Sequence, residues 1–244
     1  MSMAAANLLL LSSSKYRNTG YLEHAVAMIG DFLPNGLTSV LFIPFAAVGI
    51  DFDSFEAKVA DALEPLDIEV RSLHRAQDWP GAVAEADAIA VGGGNTFALL
   101  GRLHEAGLIE PIRHAVAKGT PYLGWSAGSN VACPSLCTTN DMPIFQPASF
   151  AALSLIPFQI NPHFIGGRIE GHNGESREER LAEYLALNPD DRVLALPEGS
   201  ALRRRAGELS VIGLADALVL TSEKSKTIER GGDVSWLLAG GGGV

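Results

Sequence analysis

Apolar and polar positions follow two rhythms along the first half of the chain. Short, nearly unbroken apolar runs recur as "NLLLLS" (7–12), "SVLFIPF" (39–45), "IEVRSLH" (68–74), the end of "AVAEADAIAVGGG" (82–94) and "PYLGW" (121–125). Such runs, bounded by turn residues, are the pattern of buried strands. Between them the apolar residues fall three and four apart, in "YLEHAVAMIGDFL" (21–33), "FEAKVADALEPL" (55–66), "TFALLGRLHEAG" (96–107) and "IEPIRHAVAKG" (109–119). That spacing predicts helices. Pro34 stops the first, and Gly107 and Gly119 stand where C-terminal caps belong.

Alternation of strand and helix predicts an α/β fold, a mostly parallel sheet flanked by helices on both faces. After about residue 190 the rhythm changes. "RVLALPEGSALRRRAGELSVIGLADALVL" reads as short strands joined by turns, an antiparallel C-terminal extension. There is no internal repeat and no long linker. Residues 1–244 are therefore expected to form a single α/β domain, with "AGGGGV" (239–244) as a flexible tail.

Charge narrows the partners. The 244 residues carry a formal net charge of −10, which argues against nucleic acid, since phosphate binding needs a basic face. "RRR" (203–205) is the one dense basic cluster and is expected on a solvated strand edge or turn. No apolar run reaches membrane-spanning length. The opening "MAAANLLLLSSS" lacks the basic flank of a signal peptide, so a cytoplasmic location is expected, as a monomer or homodimer. Cys133 and Cys137 are too few for a disulfide framework or a four-cysteine zinc site and read as packing residues.

Two strand ends are chemically unusual. "GWSAG" (124–128) matches G-x-S-x-G between a predicted strand and a predicted helix. A serine on that tight turn projects its hydroxyl above the sheet, and the next N–H, that of Ala127, points the same way and can stabilise an oxyanion. The competing reading of Ser126 is a hydroxyl that only caps the helix. "GGGNT" (92–96) also follows a strand and opens a helix. It lacks the third glycine of a dinucleotide fingerprint, and Gly94 can lend a second oxyanion N–H.

A serine nucleophile needs a base, and a base needs an orienting acid. His24, His104 and His114 lie in amphipathic helices and read as surface residues; His74 ends a strand. His163, in the loop "QINPHFIGG" (159–167), is the first choice, and His172 the second. Asp141 in "TTNDMPI" (138–144) and Glu198 in "LPEGS" (196–200) are both candidate acids, and spacing alone does not separate them.

Together "NLLLLS", "FIPFA", "VGGGNTF", "GWSAGSNVACP", "TTNDMPI", "QINPHF", "EGHNGESREER" and "LPEG", in that order, resemble the peptidase E family of serine-type aspartyl dipeptidases. The resemblance covers most of residues 7–200. It implies a glutamine-amidotransferase-like three-layer sandwich and hydrolysis of dipeptides with an N-terminal aspartate, without metal or cofactor. It places Ser126 as nucleophile and His163 as base; Asp141 and Glu198 both resemble acidic positions proposed for the third member, and of the two we favour Asp141. Arg177 resembles the arginine that pairs with the substrate's aspartate side chain. A bidentate guanidinium suits a carboxylate, and no acid stands three or four residues from Arg177 to claim it as a helix-face pair. Ser129 departs from the family's usual alanine and is expected on the exposed side of the turn. Two further classes stay open: a hydrolase of aspartyl polymers like the cyanophycinases, and a nonenzymatic anion-binding module built on "GGGNT".

Overall fold

The computed structural model describes Met3 and residues 6–168, 170–171, 173–205 and 207–239. His172 and residues 240–244 of the expected tail lie outside the described residues.

The first strand shows why the sheet must be covered twice. β1 (Leu8–Leu11) is four leucines, all fully buried. Successive strand side chains point to opposite faces, so an all-apolar strand needs an apolar layer on each side. Leu8 and Leu10 pack in one core with residues of α3 (Trp79–Ala84), α4 (Thr96–Glu105) and α5 (Ile109–Ala117). Leu9 and Leu11 pack in the other with α1 (Val26–Phe32) and α2 (Phe52–Leu63). The result is a three-layer sandwich.

Beside β1 stand β2 (Ser39–Ile43), β3 (Glu69–Ser72), β4 (Ile89–Val91) and β5 (Tyr122–Trp125). With β8 (Ser200–Arg205) and β9 (Glu208–Gly213) the seven-stranded order is β3-β2-β4-β5-β1-β8-β9, and the first five strands run parallel. β3 is shorter than its apolar run, because its pairing with β2 ends at Phe42 opposite Ser72. Leu73–Arg75 then turn as a short 3-10 helix, and Glu56 accepts the Ser72 N–H in place of a neighbouring strand.

The expected antiparallel extension divides in two. β8 (Ser200–Arg205) and β9 (Glu208–Gly213) continue the main sheet, antiparallel to β1. β6 (Gln159–Asn161), β7 (Val193–Ala195), β10 (Ala217–Leu220) and β11 (Ser225–Ile228) form a second sheet, ordered β11-β10-β7-β6, in which β6 and β7 are parallel. One face of this sheet joins the first core through Ile160 and Leu194. The other is covered by Leu181 and Leu185 of α7 (Arg177–Leu187).

The arginine cluster is solvated only in part and lies on no sheet edge. β8 lies between β1 and β9, and Arg204 is buried there with its Nη1 donating to the Leu155 carbonyl. Arg205 donates to the Asp31 and Phe32 carbonyls at the end of α1, where a cation meets the negative pole of the helix.

Candidate active site

The strand ends converge as an open parallel sheet requires, with ligand-facing groups beyond the carboxyl ends. Ser126 follows β5 and begins the short helix α6 (Ala127–Asn130). Its backbone sits at φ 54° and ψ −112°, a conformation an L-residue rarely adopts without over-determination by its surroundings. Two close approaches enforce it. A Cβ on Gly124 would lie 2.6 Å from the Gly128 carbonyl oxygen, and one on Gly128 would lie 2.2 Å from the Val91 oxygen. Neither position accepts a side chain, which is the steric content of G-x-S-x-G. The Ser126 hydroxyl makes no cap bond to α6. Instead, Ser126 Oγ lies 3.0 Å from His163 Nε2.

His163 is held from behind by β1. Its N–H donates to Ser12 Oγ at 2.9 Å, and the Ser12 hydroxyl donates to the Leu196 carbonyl. The next N–H, that of Phe164, donates to the same Leu196 oxygen. These bonds hold His163 at φ 53° and turn its ring toward β5.

The two candidate acids separate. Glu198 Oε1 lies 2.8 Å from His163 Nδ1. Glu198 projects from the turn between β7 and β8, where Gly199 takes φ 80° and donates its N–H to Ser13. Asp141, the acid preferred from sequence, instead takes both the N–H and the hydroxyl of Thr96 on Oδ2, at 2.7 and 2.6 Å. It therefore clamps the 138–144 loop onto the first turn of α4, next to Gly94, and makes no hydrogen bond to His163. An Asp beside a helix N-terminus finds donors there.

Gly94 has φ 145°, and a Cβ on it would lie 2.2 Å from the Ala46 oxygen. Among the described residues, the N–H groups of Gly94 and Ala127 have no hydrogen-bond partner. Gly94, Ser126 and His163 border one cleft of ≈ 440 Å³ that is also walled by Tyr21, Val48 and Lys58. Tyr21 accepts a hydrogen bond from Trp125 Nε1 at 2.9 Å, and burial pushes its phenol pKa up to about 12. Lys58 was not singled out in the sequence, where it reads as an ordinary polar position of an amphipathic helix.

Arg177 opens α7, next to the Ser176 cap, which forms a capping box with Glu179. It borders a separate small cavity with Arg168 and Arg180 rather than the Ser126 cleft. Burial lowers its pKa first and the Arg180 charge second, while the Asp141 charge opposes both. Arg177 forms no ion pair among the described residues.

Several other expectations change. Ser129 is fully buried, its hydroxyl donating to the Leu11 and Gly124 carbonyls; it braces β1 against the nucleophile turn. Cys133 is buried, with its thiol pushed up to about 12 by burial, whereas Cys137 is exposed. His24 is half-buried: both ring nitrogens are buried without a hydrogen-bond partner among the described residues, and burial lowers its pKa. Asp53, Glu56 and His74 bring ligand-type atoms within 4.8 Å of one another. Arg75 pairs with both carboxylates, at 2.7 and 2.5 Å.

A hydroxyl held in a strained turn against an imidazole, with unpartnered N–H groups alongside, is equipped for acyl transfer. The class is that of the serine hydrolases. The comparisons narrow it. The sequence pattern of Peptidase family S51 matches residues 8–212. A protein named Peptidase E from Haemophilus influenzae is 55% identical over 216 residues, covering 88% of this chain and 99% of its own. Another Peptidase E, from Shewanella oneidensis, is 44% identical over 95% of this chain and 98% of its own. Two crystal structures share the fold. A putative Peptidase E protein from Listeria monocytogenes has a TM-score of 0.66 at 24% identity, covering 86% of this chain and 99% of its own. A peptidase from an acI-B1 actinobacterium has a TM-score of 0.70 at 21% identity, covering 94% and 96%. The chain belongs to peptidase family S51 and is a serine peptidase.

Proposed function

We propose that this peptidase hydrolyses dipeptides with an N-terminal aspartate through an aspartyl-enzyme, using Ser126, His163 and Glu198. The observation that carries the reading is the continuous chain from Ser126 Oγ to His163 Nε2 at 3.0 Å and from His163 Nδ1 to Glu198 Oε1 at 2.8 Å. The relatives named Peptidase E support the same activity.

In the first step His163 Nε2 takes the Ser126 proton as Oγ bonds to the carbonyl carbon of the Asp-X peptide. The carbonyl oxygen becomes an oxyanion facing the N–H groups of Gly94 and Ala127. The tetrahedral adduct then collapses. The C–N bond breaks, the leaving amine takes the proton from His163 Nε2, and an aspartyl ester remains on Ser126. Water next gives a proton to His163 and attacks the ester, and that proton returns to Ser126 Oγ as aspartate leaves. Glu198 holds the Nδ1–H throughout, which fixes the tautomer and stabilises the imidazolium. Asp141 acts at one remove, by fastening the 138–144 loop to the start of α4, two residues beyond Gly94. Arg177, unpaired and partly buried near Asp141, receives the substrate's side-chain carboxylate. The enzyme acts in the cytoplasm as a monomer or homodimer.

The test is a panel of Asp-Leu, Asn-Leu, Glu-Leu and an aspartyl polymer. Asp-Leu is expected to be cleaved far faster than the others. Comparable or faster cleavage of Asn-Leu, Glu-Leu or polymer would reject the Asp-X reading.

A further inference from the structure

The Ser126 cleft contains a cation that the proposed chemistry does not use. Lys58 lies on α2, and its Nζ sits 4.2 Å from the centroid of the Tyr21 ring. The Tyr21 hydroxyl is fixed by Trp125, the residue before Ser126. The ammonium is thus held one aromatic ring away from the nucleophile strand, and a cation over an aromatic face is attracted to it. Among the described residues bordering this cleft, Lys58 is the one lysine or arginine. It forms no ion pair among the described residues.

A dipeptide Asp-X brings two carboxylates, one on the aspartate side chain and one at its C-terminus. Arg177 answers the first. It borders a different cavity, toward Asp141, whereas Lys58 stands on the wall made by α2 and the loop before it. Two anionic groups at the two ends of one small substrate call for two separated cations. We infer that Lys58 binds the free C-terminal carboxylate of the leaving residue, so that the site selects dipeptides by the charge at their end. The inference rests on the Asp-X reading above. Lys58 is a binding residue and takes no part in bond making. Its effect appears in kcat/KM, because contact with a remote group supports the transition state at the scissile bond.

The experiment compares Asp-Leu with Asp-Leu-amide, which differ only in the terminal charge. Wild-type enzyme is expected to prefer the free acid by about tenfold or more in kcat/KM, the scale of one charge-assisted contact. In Lys58→Met that ratio falls toward one, and in Lys58→Arg, which keeps a cation, most of it remains. Equal turnover of acid and amide by the wild type overturns this inference and leaves the Asp-X reading standing. A Lys58→Met enzyme that keeps the wild-type ratio, or loses both substrates equally, overturns it too. A wild type inactive on both substrates rejects the Asp-X reading itself, and the inference with it.

Discussion

The turn carrying Glu198 and the loop carrying Asp141 each bring a carboxylate to the rim where the strands end, and they employ it in opposite ways. Glu198 stands on a tight turn whose backbone donors are already used, by Ser13 and by Pro197. Its side chain is half exposed and meets one partner, His163. Asp141 lies beside the first turn of α4, where Thr96 offers an N–H and a hydroxyl, and both go to one carboxylate oxygen. A carboxylate not taken up by backbone donors can orient a base; one consumed by a helix terminus can only hold a loop. The difference lies in the donors each backbone leaves free, not in the residue type.

The largest expected effect tests what both regions serve. Ser126→Ala is predicted to lose at least about 10⁴-fold in kcat on Asp-Leu, as when a member of a serine relay is removed, with its thermal unfolding transition unchanged. Near-wild-type turnover would break the account of the Glu198 side entirely. Next, Gly94→Ala probes the loop just before the helix start that Asp141 caps. An added Cβ meets the Ala46 carbonyl at 2.2 Å, so the N–H must shift. Loss of one oxyanion donor costs about 10²–10³-fold in kcat, and a variant of unchanged kcat would remove Gly94 from the site.

Arg177→Ala probes the far end of the Asp141 region. It is predicted to reduce the preference for Asp-Leu over Asn-Leu by about 10- to 100-fold in kcat/KM, leaving cleavage of Asn-Leu little altered. A preserved preference would mean another group reads the aspartate. The smallest effect concerns the buried frame that both regions share. Burial raises the Cys133 thiol and the Tyr21 phenol each to about 12, above their values of about 9 and 10 in an unfolded chain. Groups raised in the folded state contribute stability fully below the unfolded value and lose it as pH climbs toward the folded one. Denaturant midpoints are therefore predicted to fall between about pH 9 and pH 12. A flat profile there would contradict the burial of these two groups.

Much of this arrangement was legible in the sequence, and the illegible parts share one cause. The parallel half of the sheet follows from local rhythm, because each apolar run is bounded by its own helix. The nucleophile turn follows from two glycines whose need is steric and local. His163 is singled out as first choice by its place just past an apolar strand, with His172 second. What the sequence left open depends on contacts between distant segments. Asp141 and Glu198 are both acids in polar turns, and only the positions of Thr96 and His163 separate them. β8 and β10 look alike as short strands, yet one joins β1 and the other joins β7. Arg204 and Ser129 look solvent-facing in a one-dimensional pattern and are buried by strands far away in the chain. Lys58 gave no signal, since an exposed lysine on an amphipathic helix is ordinary until the aromatic ring beneath it and the cleft beside it are known.

The most direct test of the central claim is the kcat/KM for Asp-Leu of Glu198→Gln measured beside that of Asp141→Asn. If Glu198 orients His163, Glu198→Gln falls by about 10²-fold or more, as expected when an imidazole loses the carboxylate behind it. Asp141→Asn, whose amide oxygen still accepts from Thr96, then falls by no more than about tenfold. The reverse order, with Asp141→Asn crippled and Glu198→Gln nearly intact, would contradict the account.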